Sequence, residues 1–164
     1  MLNIFECPMK RITRLEAVLW NIALPGFSQL LYGRFLKGLL FVVLEFIINF
    51  FSNFNLAIMY SFQWEIQKAF EVTNFQWLMF YPCLYMFAMW DAYKAASQKE
   101  EKFSYLPFVF SAYFVTVGLM YSPKFELFGV LLGPVFTPMM FLIPGISIGF
   151  LIKFLLLKHD KQKQ

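Results

Sequence analysis

The sequence has few of the side chains that catalytic and metal-binding sites require. It contains a single histidine, His159, and two cysteines, Cys7 and Cys83, in 164 residues. His159 lies in the charged C-terminal tail, so neither a histidine-based triad nor a zinc site with several Cys and His ligands is expected within the apolar part of the chain. Two distant cysteines also give no disulfide framework, and no glycine-rich phosphate loop is present. We therefore expect no enzyme activity, no cofactor and no metal.

Charged residues are scarce as well. They make up 15% of the chain, whereas apolar residues make up 60%, and the mean hydropathy is +0.60. A soluble domain carries about a quarter charged residues, so this deficit indicates that lipid is the solvent. The net charge of +4 comes without a basic run interleaved with aromatic residues. We therefore expect no nucleic-acid partner.

The N-terminal part predicts a short helix over residues 14–24. Thr13 and Glu16 have the spacing of a capping box, and Pro25 disfavours helix in the residue before it. A helix of about ten residues cannot cross a hydrocarbon core about 30 Å thick, so it is either interfacial or the descending limb of a re-entrant turn. Arg14 and Asn21 should face the surface, off an apolar stripe at helical spacing that comprises Ile12, Leu15, Leu19 and Ile22.

The remaining apolar segments predict an all-α, polytopic membrane protein with about four transmembrane helices. Residues 57–74 differ, because a charged stripe with Glu65 and Lys68 lies beside an apolar one. This pattern predicts an amphipathic helix on the external surface of the membrane. The four predicted spans are 35–54, 75–93, 103–121 and 135–157.

The last apolar stretch, 125–157, is longer than one span needs and is interrupted by prolines and glycines. We favour a span over 135–157 kinked near Pro144, with 125–132 lying shallow in the membrane. A re-entrant hairpin is the alternative, and it requires protein or water around the freed backbone groups.

The distribution of basic residues predicts the orientation. If the N-terminus, residues 94–102 and the C-terminal tail are cytoplasmic, all but Lys68 and Lys124 of the 14 Lys and Arg side chains lie inside. Such a bias is typical of a bacterial cytoplasmic membrane protein with both termini in the cytoplasm. A basic cytoplasmic rim also favours anionic lipids as partners.

Glu45 is the sharpest candidate for a functional residue within the membrane. An acidic side chain in a span is expensive and usually faces the bundle interior or water, and Asn49 follows one turn later on the same face. The pair could form a proton or cation site or bind a basic residue of a partner. The alternative, which we favour, is a protonated packing residue hydrogen-bonded to Asn49 or to another span.

A second candidate is the turn that precedes the first span. Its small and polar residues could form a polar pocket at the membrane surface, or they could simply hold two helices together, and we favour the structural role. The turn residues concerned are Pro25, Gly26, Ser28, Gln29 and Gly33.

Asp91, at the cytoplasmic end of the second span, should pair with Arg34 or Lys37 at the same depth. This ion pair would fix the register of the first two spans. Lys153, in the last span, should extend its ammonium group to the interface.

The turn sequence Pro-Gly-Phe-Ser-Gln-Leu-Leu-Tyr-Gly at 25–33, followed by Lys37-Gly38 and by Trp90-Asp91, resembles the bacterial TM2-like small membrane proteins. Those proteins share a Pro-Gly-x-Gly-Gln-x-x-x-Gly turn that leads into two apolar helices, the second of which ends in Trp and Asp. Ser28 stands where the pattern has Gly, and the resemblance covers residues 20–93. It implies a membrane topology rather than an activity.

Two functions therefore remain open. The first is a non-enzymatic membrane protein that scaffolds or regulates a membrane-protein partner, or assembles as a homo-oligomer. The second is a small transporter or channel subunit in which Glu45 lines an ion or proton path. A membrane-embedded enzyme that acts on lipid ranks last, because only location favours it.

Overall fold

The structure, a computed structural model, describes residues 12–97 and 101–162. The predicted cytoplasmic residues Lys10, Arg11, Lys99 and Lys163 lie outside this part, as does Cys7. The described residues are mostly helical, which confirms the all-α prediction. Their elements are α1 (Arg14–Ala23), α2 (Phe27–Leu31), α3 (Phe35–Ser52), α4 (Phe54–Phe62), α5 (Ile66–Val72), α6 (Phe75–Leu78), α7 (Tyr81–Ala96), α8 (Leu106–Tyr121), β1 (Glu126–Leu127), β2 (Val130–Leu131) and α9 (Gly133–Gln162).

Helix α1 presents its apolar stripe to the outside of the molecule. Thr13 caps the helix, since its hydroxyl accepts a hydrogen bond from the Glu16 amide at 3.2 Å. Leu15 is 70% exposed, whereas Ala17 and Asn21 are fully buried. The prediction that Asn21 faces the surface is therefore wrong. The face with small and polar residues packs inward, as is common where lipid surrounds a helix.

The beginning of α1 and the beginning of α3 both lie near the C-terminal end of α7. Arg14, at the start of α1, lies 3.1 Å from the Tyr93 hydroxyl, and the Ile22 carbonyl accepts a hydrogen bond from the Tyr85 hydroxyl at 3.5 Å. Helix α1 thus runs antiparallel to α7. The chain then turns and returns through α2 to Arg34, which lies close to Asp91. This path has the form of the re-entrant alternative.

Among the described residues, α3 and α9 are long and apolar enough to cross a membrane. Helix α3 ends at Ser52 because Asn53 adopts a left-handed conformation with φ of 55°. The segment predicted as a span over 75–93 contains two helices, α6 and α7, joined by two residues in helical conformation. Helix α8 is apolar and 16 residues long.

The segment 57–74 was predicted as one amphipathic surface helix, and this prediction is wrong. It contains most of α4 and all of α5, separated by Trp64 in a left-handed conformation with φ of 64°. Both helices pack on the beginning of α9: the Phe62 and Phe136 rings lie 5.2 Å apart, and Ile66 contacts Gly133. Charges occur only in and beside α5, so α4 is apolar enough to pack on protein.

Helices α8 and α9 form a tight antiparallel pair. A Cβ atom at Gly149 would lie 2.5 Å from the Pro107 Cα, and one at Gly145 would lie 2.9 Å from the Ser111 Cα. Such small residues let helix backbones approach closely. Helix α9 continues through Pro138 and Pro144, so the alternative of a re-entrant hairpin is not observed. Residues 126–131 form the short antiparallel β1–β2 hairpin instead.

Candidate functional site

One end of the helix bundle gathers most of the described basic side chains. Ion pairs and one shared cavity bring them together there, and we call this region the basic end. Lys68 and Lys124 lie near the opposite end, beside the beginning of α9 and the end of α8. The basic end comprises Arg14, Arg34, Lys37, Lys94, Lys102 and Lys153.

Asp91 is the acidic centre of the first group of contacts. It is 9% exposed, and its Oδ1 accepts a hydrogen bond from Lys37 Nζ at 2.9 Å. The Arg34 guanidinium lies 4.0 Å from Oδ2. The structure therefore brings together the three residues predicted to form this ion pair, and they join the beginning of α3 to the end of α7. Gln29, which the sequence gave no reason to place here, donates to the same Oδ2 at 3.3 Å.

Gln29 also links the turn to α7 directly. Its side chain is fully buried, and Nε2 donates to the Ala88 carbonyl at 2.9 Å. No described residue donates to its Oε1. Since Gln29 bonds to both the backbone and a carboxylate of α7, it positions the turn against that helix.

The rest of the turn is structural. The Gly26 amide donates to Asn21 Oδ1 at 2.7 Å, and the Ser28 hydroxyl donates to the Ala17 carbonyl at 2.5 Å. Gly26 has a φ of 96°, and a Cβ atom there would lie 2.4 Å from the Gly38 carbonyl oxygen. Only glycine therefore fits at this crossing with α3.

The remaining two turn residues complete the same bend. Pro25 is buried directly after α1, and Gly33 follows α2 with a φ of 72°. The polar groups of the turn are used to connect α1, α2 and α7.

Glu101 forms a second acidic centre that the sequence reasoning missed. Its Oε1 accepts a hydrogen bond from Lys153 Nζ at 2.5 Å, and its Oε2 accepts from the Tyr93 hydroxyl at 2.6 Å and from Arg14 at 3.2 Å. The hydrogen bond from Lys153, followed by that from Tyr93, holds the pKa of Glu101 below its usual value of 4.5. One carboxylate thereby connects α1, α7 and α9.

The signal for this centre was Lys153 rather than Glu101. Residues 97–102 are the most charged connection in the chain, which favours a solvated linker. An ammonium group inside a long apolar helix, however, needs an acidic partner at the same depth. Lys153 is 9% exposed, and its ammonium group bonds to Glu101 in the connection between α7 and α8.

A cavity of about 830 Å³ lies at the basic end, between the beginning of α3, the end of α7 and the segment 101–105. Much of its wall is aromatic, with Phe87, Trp90 and Tyr105. The Trp90 indole N–H is buried and finds no acceptor among the described residues. The charged residues that line the cavity are four cations and two carboxylates: Arg34, Lys37, Lys94, Lys102, Asp91 and Glu101.

Glu45 lies apart from the basic end, at the contact between α3 and α7. It is 8% exposed, and its Oε1 is 3.5 Å from both Asn49 Nδ2 and the Tyr81 hydroxyl. Tyr81, which makes the contact from α7, was not identified from the sequence. A single buried carboxyl group between an amide and a phenol matches the packing interpretation.

The sequence Gly-Ile-Ser-Ile-Gly at 145–149 matches the Gly-x-Ser-x-Gly pattern of hydrolase nucleophiles. Such a serine must lie on a sharp turn between a strand and a helix. Ser147 instead lies inside the continuous helix α9, where its exposed hydroxyl donates to the Ile143 carbonyl at 2.8 Å. Ser147 therefore does not have the position of a nucleophilic serine, despite the sequence match.

Within the described part of the chain, no group of three or more His, Cys, Asp or Glu residues could hold a metal ion. Comparisons with protein-family models, with curated proteins and with solved structures find no match.

Proposed function

We propose that the chain is a multi-pass protein of a bacterial cytoplasmic membrane that scaffolds or regulates a membrane partner and is not itself an enzyme. The observation that carries this proposal is the exposure of its apolar helices. Of the 18-residue apolar stretch of α3 only 28% is buried, and of the corresponding stretch of α9 only 11% is buried. A core helix of a soluble protein would be mostly buried, so lipid is the natural cover for these faces.

Four membrane crossings are consistent with the helix lengths and directions. Helices α3 and α9 reach about 27 Å and 45 Å at 1.5 Å per residue, and α6 with α7 forms a second long segment. Helix α8 reaches about 24 Å and is flanked by aromatic residues that suit the interface. The positive-inside bias supports a cytoplasmic location for the basic end and for both termini.

The scaffolding role is supported by how the polar groups are used. Asp91, Glu101 and Glu45 each bond to side chains of other helices, which stabilises a bundle rather than leaving reactive groups exposed. The contact between Gln29 and Asp91 joins the two ends of the pattern that resembles TM2-like proteins. This contact supports, as a proposal, membership of that family.

Site-specific photo-crosslinking in the native membrane tests the scaffold. A photoreactive phenylalanine analogue is placed at Phe46, which is exposed on α3, or at Phe150, which is exposed on α9. The same analogue at Phe41, buried on α3, is the matched control at equal membrane levels. We expect an adduct of one defined protein mass from an exposed position and none from Phe41.

An adduct of twice the chain mass would identify a homo-oligomer as the partner. Adducts with lipid alone, from both exposed positions, would contradict the scaffold. In that case the transporter ranks next, since Glu45 is a buried carboxyl group in a predicted span. Proton or cation flux into vesicles that is lost in Glu45→Gln would support it.

A further inference from the structure

Among its described lining residues, the cavity at the basic end has more cations than its two carboxylates neutralise. Asp91 bonds to Lys37 at 2.9 Å, and Arg34 is more distant, at 4.0 Å. Among the described residues no carboxylate pairs with Lys94, whose ammonium lies 5.6 Å from the centre of the Trp90 ring. Lys94 and Arg34 therefore have hydrogen-bond donors available for an anion in the cavity.

Glu101 lines the cavity as well, but its charge is already paired. Its two oxygens accept from Lys153 and Arg14, neither of which lines the cavity. Lys102 pairs with Asp160 at 2.6 Å, but both side chains are well exposed, and a pair so exposed is worth little and can exchange partners.

The cavity also continues onto apolar surface. Phe87 lines it, is 53% exposed, and packs edge-on against Phe41 of α3 at 5.9 Å. The exposed apolar residues of α3 begin at the same end of the bundle, since Phe35 and Leu36 lie between Arg34 and Lys37 in the sequence. A ligand with an anionic head and apolar chains therefore matches the site along its whole length, whereas a free phosphate uses only the cations.

We propose that this cavity binds the phosphate of an anionic phospholipid headgroup, with its acyl chains lying along the apolar surface beside Phe87. Arg34, Lys37, Lys94 and Lys102 supply the positive field. Basic pockets between helices on the cytoplasmic side are suited to such headgroups. This inference rests on the proposed membrane function and specifies one lipid site within it.

The test is lipid titration of the intact, purified chain in nonionic detergent, with bound lipids counted by native mass spectrometry. The probes are phosphatidylglycerol and phosphatidylcholine. The cavity variant is Lys94→Gln with Lys102→Gln. The matched control, Lys68→Gln with Lys124→Gln, removes the same charge at the opposite end of the bundle.

We expect the wild type to bind its first phosphatidylglycerol more tightly than phosphatidylcholine. In the cavity variant the dissociation constant for that lipid should rise by about tenfold, and in the control by less than about twofold. Lys94→Gln alone, which breaks no ion pair with a described carboxylate, should give part of the same loss if the double variant does not fold.

Three results would overturn the site. Equal weakening in the cavity variant and the control would show an unspecific charge effect, and equal affinity for the two lipids would show no anion preference. Full displacement of phosphatidylglycerol by millimolar glycerol phosphate would assign the site to soluble phosphates instead. None of these results bears on membrane insertion, so they leave the proposed function standing, whereas recovery of the chain in the soluble fraction would remove that function itself.

Discussion

Glu101 joins three helices through one carboxylate, because Lys153, Tyr93 and Arg14 all donate to it. Lys153 depends on this contact most, since its side chain is only 11% exposed while that of Arg14 is 40% exposed. Removing the partner of a buried charge costs more than the pair itself is worth. We therefore expect Glu101→Gln to lower the free energy of unfolding by about 1–3 kcal/mol at neutral pH, the lower part of the range reflecting partial exposure.

The stability difference between the wild type and Glu101→Gln should also depend on pH. The pKa of Glu101 is lowered from 4.5 in the folded chain, so its contribution is complete above the unfolded pKa and is lost as the pH falls through the folded value. Thermal unfolding in detergent, followed from pH 7 to pH 3, should show the wild type and Glu101→Gln converging below about pH 4.5. Glu71→Gln, at an exposed position of α5, is the control and should match the wild type throughout. A difference that stays constant with pH would contradict the role of the Glu101 charge.

At the scale of the helix, the α8–α9 pair depends on glycines that no larger residue can replace. A Cβ atom at Gly149 would lie 2.5 Å from the Pro107 Cα and 2.9 Å from the Leu106 carbonyl oxygen. Both contacts are with backbone, so neither can be relieved by a side-chain rotation. Gly149→Leu should force the helices apart and destabilise the fold by about 3 kcal/mol or more.

Ser147→Leu is the matched control for that prediction. It introduces the same side chain into the same helix, but at an exposed position. Size-exclusion chromatography and thermal unfolding in detergent should find Gly149→Leu aggregated or strongly destabilised and Ser147→Leu close to the wild type. Equal behaviour of the two variants would mean that the α8–α9 contact does not hold the pair together.

The long apolar helices α3, α8 and α9 could be predicted from the sequence, because apolar length and proline positions report local properties. The Thr13 cap and the end of α1 before Pro25 follow from such local rules. The break at Trp64 could not be predicted, since no glycine or proline marks it and tertiary contacts with α9 determine it. Glu101 was missed for a related reason: Arg14 and Lys153 are remote from it in sequence and meet it only after α1, α7 and α9 are packed.

The candidate site divides in the same way. The pairing of Asp91 with Lys37 was predictable, because charges at equal depth in neighbouring spans need each other. The contribution of Gln29 was not, because it depends on the return path of α2 towards α7. Tyr81 likewise reaches Glu45 only through the pairing of α3 with α7.

At the scale of the whole molecule, the effect of replacing an exposed apolar residue by Asp depends on whether water or lipid surrounds it. Phe150 is 55% exposed in the middle of α9, and Phe128 is 97% exposed in the β1–β2 hairpin. In water, replacing either by Asp would remove exposed apolar surface and should cost nothing. If α9 crosses the membrane, Asp at position 150 should oppose insertion, by less than the cost of about 2.5–3.5 kcal/mol at the centre of a span because Lys153 is only one turn away, whereas Asp at position 128 should be tolerated. Alkaline carbonate extraction of membranes should therefore release or deplete Phe150→Asp and retain Phe128→Asp with the wild type. A Phe150→Asp chain that becomes soluble, folded and more abundant would show that water, not lipid, surrounds α9.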